Sequence, residues 1–134
     1  MRRSLLAFPL LLALAGCGGS SGGDSASPYA GTYSGTWTNL DDARDAGTAT
    51  WTVQNDGTIS GTDNDPGRET AFNIVGRIDS AGTVTTTSTP AGGGEAATLN
   101  GRLLFGTSGE LAGTLNWGVE PPLSYRYAFT RQVD

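Results

Sequence analysis

Histidine and lysine are both absent from the 134 residues, and cysteine occurs once, at Cys17. Without histidine the commonest acid–base catalyst and zinc ligand is missing, and without lysine there is no Schiff-base nucleophile. A single thiol forms no internal disulfide. Long apolar runs are lacking too: the longest, Leu5 to Ala15, is broken by Pro9 and reaches about half of the ~20 residues a membrane-spanning helix needs. Positive charge is scarce, with eight arginines against thirteen acids and a net of −5. That balance argues against nucleic acid, whose phosphates call for a basic footprint. No segment carries a convincing helical period, and the length suits one domain, not two.

What is present begins with an address. Arg2 and Arg3 precede the apolar run, and the run ends in small residues, the pattern of a secretory leader. Leu14, Ala15, Gly16 and Cys17 then spell "LAGC", which resembles the lipobox of bacterial lipoprotein precursors. The resemblance implies that residues 1–16 are a signal peptide, that Cys17 receives a diacylglycerol, and that the chain is cut just before it and acylated again. Two or three acyl chains hold a protein at a membrane essentially permanently, where one holds weakly. Gly18, being other than Asp, resembles the default outer-membrane signal of Gram-negative lipoproteins. The expected location is the cell envelope, lipid-anchored, at the outer membrane. The alternative is an ordinary secreted protein with a chance cysteine beside the cleavage site. Residues 17–28 hold the lipidated cysteine and a Gly/Ser-rich tether, reaching on the order of 20 Å. Past the cleavage point six arginines face the thirteen acids, a net of −7.

From residue 29 to 134 the dominant signal is period two. Tyr33, Gly35 and Trp37 share one phase; so do Ala49, Trp51 and Val53, then Ile59 and Gly61, then Phe72, Ile74, Gly76 and Ile78. Val84, Thr86 and Ser88 mark a fifth strand, Leu99 to Phe105 a sixth, Leu111 to Trp117 a seventh and Leu123 to Phe129 an eighth. Short turns, "NDG" at 55–57, "SAG" at 80–82 and "GTSG" at 106–109, alternate with longer loops at 39–47, 63–70, 90–95 and 118–122. In an up-and-down meander all four long loops fall at one mouth. Glycine recurs on the apolar phase at 35, 61, 76, 101 and 113, as sharp coiling of a small closed sheet requires. The expected fold is all-β, an eight-stranded antiparallel up-and-down β-barrel; the alternative is a flattened two-sheet sandwich. A transmembrane barrel fits less well, because several strands are short and the apolar phase is rich in glycine.

"SGTWTN" at 34–39, "DGTISGT" at 56–62, "IVGRIDS" at 74–80 and "FTR" at 129–131 resemble strands of avidin and streptavidin, within the wider calycin group. The group's pairing of a first-strand tryptophan with a last-strand basic residue implies a Trp37–Arg131 contact. The ligand residues of that family transfer poorly. Asn39 matches a biotin-contacting position, but Ala43, Asp63 and Tyr127 stand where its other polar contacts are expected, so the expected ligand is not biotin.

Candidate ligand-binding residues are Trp37, Asn39, Trp117, Tyr125 and Tyr127. Eight acids against Arg44 and Arg68 fall in the long loops, and Asp41, Asp42, Asp45, Asp63, Asp65 and Glu69 form an expected acidic rim. Such a rim focuses potential for a cation or basic partner, or simply keeps the surface solvated. Asp63, Asp65 and Glu69 offer hard oxygens for Ca²⁺ at a spacing unlike the calcium loop, so no metal site is assigned. The expectation is a membrane-anchored binding or interaction module, not an enzyme and without a cofactor, meeting a small ligand or protein at its distal mouth. The alternative is a structural envelope lipoprotein with a packed barrel. A carboxylate pair for glycoside hydrolysis is the remaining catalytic option.

Overall fold

A computed structural model describes residues 26–133. Cys17 and residues 1–16, the expected signal peptide, lie outside the described residues. Eight strands follow one another: β1 (Gly31–Asn39), β2 (Asp42–Val53), β3 (Thr58–Asp65), β4 (Thr70–Ile78), β5 (Thr83–Pro90), β6 (Ala97–Phe105), β7 (Leu111–Trp117) and β8 (Leu123–Arg131). Each pairs antiparallel with the next, and β8 returns to β1, closing the barrel. It is a closed cylinder and not a sandwich. Closure leaves no free sheet edge, the condition an open eight-stranded meander cannot meet.

Alternation along every strand sends one phase inward. Tyr33, Trp37, Ala49, Trp51, Val53, Ile59, Ile74, Ile78, Val84, Leu99, Leu103, Leu111, Leu115, Tyr125, Tyr127 and Phe129 are all buried in one cluster. Thr and Ser dominate the opposite phase of β1 to β3, and the outward Thr32 lies beside Thr52 in register.

The strands run further than their sequence suggests. Residues 39–47, expected as a loop, contain only a two-residue turn at Leu40 and Asp41 before β2 starts. The register slips between Thr38 and Asn39, so residues 43–45 bulge from the ladder, after which Trp37 faces Gly47. A Cβ on Gly47 would sit 2.6 Å from the Trp37 ring, so the indole lies across a position only glycine leaves open. Likewise the 63–70 loop shrinks to the four residues between β3 and β4.

The two ends of the cylinder differ. At the tight-turn end Tyr29 stacks on Phe105 with ring centroids 5.3 Å apart, and the Tyr33 hydroxyl donates to the Tyr29 carbonyl at 2.7 Å. Arg131 lies over both the Tyr33 and Phe105 rings, at 5.5 and 5.3 Å, and its guanidinium donates to the Tyr33 hydroxyl at 2.9 Å. This corrects the expected Trp37–Arg131 contact: register puts Arg131 opposite Tyr33, while Trp37 faces Tyr127 near the other end. Among the described residues no helix is long and apolar enough to cross a membrane.

Candidate functional site

The opposite end, where β1–β2, β3–β4, β5–β6 and β7–β8 connect, is less completely filled. A cavity of about 30 Å³ lies there, lined by Trp37, Asp63, Asp65, Arg68, Phe72, Ser88, Leu99, Trp117, Tyr125 and Tyr127. That is room for about two waters at ~10–15 Å³ each. Four of the five expected ligand residues, Trp37, Trp117, Tyr125 and Tyr127, are brought together in its walls. Tyr125 meets both indoles edge-on, with centroids 5.2 Å from Trp37 and 6.3 Å from Trp117, and Phe72 meets Trp117 at 5.9 Å.

Asn39 is not among them. Its amide oxygen accepts from the Asp41 backbone N–H at 2.8 Å, and its nitrogen donates to Asp45 at 3.0 Å, so the side chain is occupied within the rim. It is buried on the inward phase of Trp37 and shares the Asp45 carboxylate with the lining residue Tyr125.

The acidic rim divides. Asp41 and Glu69 are exposed, and Asp42 pairs with the exposed Arg44 at 3.0 Å. Asp63 and Asp65, expected on the rim, are buried: 5% and 3% exposed. The cause is phase, because β3 continues to Asp65 and Ile59, Gly61, Asp63 and Asp65 all point inward. Trp51 Nε1 donates to Asp63 at 2.7 Å, and the Tyr127 hydroxyl donates to its other oxygen. Burial pushes the Asp63 carboxyl up to about 6, against the pull of the Tyr127 and Trp51 hydrogen bonds. Burial, and then the adjacent Asp63 charge, hold the Tyr127 phenol well above its ordinary range.

Arg68, from the loop between β3 and β4, spans the mouth. Its guanidinium donates to Asp45 of β2 at 2.9 Å and to Asp65 at the end of β3. The Tyr125 hydroxyl and the Asn39 amide donate to the same Asp45 carboxylate. Burial pulls the Asp45 carboxyl upward, yet the hydrogen bonds from Arg68 and Asn39 and the Arg68 charge hold it below its ordinary value. Burial and the Asp45 charge raise the Tyr125 phenol to about 12.

Two donors are left over. The indole N–H groups of Trp37 and Trp117 are buried and have no acceptor. An unmet buried donor costs about 1–3 kcal/mol. Among the described residues no three acids, histidines or cysteines converge as a metal cluster. Arg68, Phe72 and Ser88 were not among the expected ligand residues. Ser88 shares the inward phase of Val84 and Thr86, which the alternation carries; Arg68 sits in a loop and had no periodic signal.

Fold and site together define a closed eight-stranded barrel whose one open end carries an aromatic cavity ringed by carboxylates. Compared with protein-family models, with curated proteins and with solved structures, the chain matches none of them.

Proposed function

We propose that this chain is a lipid-anchored, extracytoplasmic binding module that seats a small ligand in the mouth of its barrel. The observation that carries the reading is the aromatic-walled cavity at the mouth, where Trp37, Phe72, Trp117, Tyr125 and Tyr127 meet Asp63, Asp65, Arg68 and Ser88. A built recess with convergent polar groups and aromatic walls is the usual form of a small-molecule site. The "LAGC" motif supports the anchor, and the tether enters β1 at the sealed end, so the cavity faces away from the membrane. The ligand is not biotin: the one matching contact residue, Asn39, spends its amide inside the rim. Binding, not catalysis, is the work the constellation suits, since each cavity carboxylate is already held by Trp51, Tyr127 or Arg68.

The cavity volume of about 30 Å³ favours the second reading, a packed envelope protein whose indoles meet only water. A thermal-shift screen of small solutes separates the two. A ligand at 100 times its Kd adds about 2.7 kcal/mol to stability, an effect that Trp37→Phe should reduce. No shift with any solute would leave the packed barrel. For the anchor, Cys17→Ser should release the protein from the membrane fraction, and intact mass should show acyl chains on the native first residue; lipid-free mature material would end that part of the proposal.

A further inference from the structure

Five large apolar side chains stay exposed among the described residues: Leu40, Val75, Leu104, Phe105 and Val133. Three of them gather at the sealed end. Leu104 and Phe105 finish β6 there, with Leu104 reaching the β4–β5 turn at Gly82, and Val133 follows the end of β8. Arg77, Arg102 and Arg131 stand at the same end, all exposed. Each donates to a main-chain carbonyl: Arg77 to Asp56 at 3.0 Å, Arg102 to Ala81 at 3.0 Å and Arg131 to Pro28 at 3.4 Å. Among the described residues none of the three joins an ion pair; those belong to Arg44 and Arg68 at the mouth. The acids of the sealed end are Asp56, Asp79 and Glu110, and the first two carboxylates are engaged in their own turns, on the N–H groups of Thr58, Ala81 and Thr83. This end is therefore balanced, whereas eight acids face two arginines at the mouth.

Exposed apolar groups flanked by guanidiniums suit a lipid headgroup layer, where the apolar groups enter the acyl boundary and arginine pairs with phosphate. Chain length supplies the occupant. Only residues 18–25 separate Cys17 from the described chain, which begins against the β2–β3 turn of the sealed end. Even at full extension they keep that end within about 30 Å of a bilayer holding Cys17. Such confinement is an effective concentration of about millimolar, so weak contacts suffice. Charge sets the orientation, since an anionic surface repels the mouth and not the floor. Resting on the anchor reading above, we propose that the sealed end is a membrane-docking face. Leu104, Phe105 and Val133 enter the headgroup layer of an anionic bilayer, Arg77, Arg102 and Arg131 pair with its phosphates, and the mouth is held outward.

The test couples the unlipidated mature chain, through its single thiol Cys17, to maleimide lipids in vesicles of phosphatidylcholine and phosphatidylglycerol in equal parts, with brominated acyl chains. Leu104→Trp and Val133→Trp put reporters on the floor and Leu40→Trp puts one at the mouth, all at exposed positions. Each is checked for native circular dichroism, and the parent's own tryptophans give the background. Bromine quenches only at close range, so both floor reporters should lose most of their emission and Leu40→Trp none. Arg77→Gln and Arg102→Gln should each lower the docked-to-free ratio about fivefold, and high salt should act in the same direction. Equal quenching on phosphatidylcholine alone would overturn the role of the arginines and leave an apolar contact. Equal quenching of floor and mouth, or none at either floor reporter, would overturn the docking face. The coupling is chemical, so the two failures read differently. Lipid-free mature material in the fractionation above removes the anchor and this proposal with it, whereas unquenched floor reporters remove the docking alone.

Discussion

Asp63 holds its charge at a cost. Its carboxyl sits at about 6, against 3.8 ordinarily, because burial outweighs the hydrogen bonds from Tyr127 and Trp51. Between those two values the folded chain keeps a proton that the unfolded chain has released. Stability from this group is therefore complete below about pH 4 and is lost as pH rises through 6, a swing of about 3 kcal/mol. Asp63→Asn, keeping the shape and letting Tyr127 turn acceptor, should be 1–3 kcal/mol more stable than the parent at pH 7.5 by urea unfolding. Its stability should also stay flat between pH 4 and 7, where the parent's falls. Asp45 works in the other direction: its lowered value removes stability only as pH drops below the ordinary carboxylate range, outside that window. Sequence alternation carried the placement of Asp63, since Ile59 and Gly61 share its phase; its charge disguised it as rim. Nothing periodic marked Arg68, because a loop residue's partner is fixed by the fold alone.

At the scale of the strand, closeness is the governing condition. A Cβ on Gly35 would stand 2.0 Å from the Ala128 carbonyl oxygen across the β1–β8 seam, so Gly35→Ala has to push two strands apart. We expect a loss of about 1–3 kcal/mol or more in chemical denaturation. Gly92→Ala, with open space around its Cβ, should be neutral within about 0.5 kcal/mol. At the sealed end, Arg131→Met should cost about 0.5–1 kcal/mol, because the guanidinium over Tyr33 and Phe105 is solvent-facing. All eight strands were legible as apolar alternation, and the tight turns as Gly-containing breaks. The start of β2 was not. "DARDAG" has no apolar phase to read, and its pairing to β1 depends on a bulge that only the partner strand imposes.

The whole barrel is polar along its axis: a sealed floor of Tyr29, Phe105 and Arg131 at one end, a charged and partly open cavity at the other. Period two fixed the cylinder and the turn lengths fixed which connections share an end. The size of the cavity was not legible, because it is the small remainder left after many large side chains fill one tube. Removing residues 123–131 should abolish cooperative unfolding and raise dye binding to exposed apolar surface, since β1 and β7 would both lose a neighbour. A native near-ultraviolet spectrum from such a truncation would refute this. The seam that joins Tyr33 to Arg131 also sets a schedule. Its two halves are the first and last strands of the barrel, so every residue from 31 to 131 must be synthesised before the tube can shut. Until then the first strand has no partner on that side, and the two halves of the ribbon stay free to slide past one another.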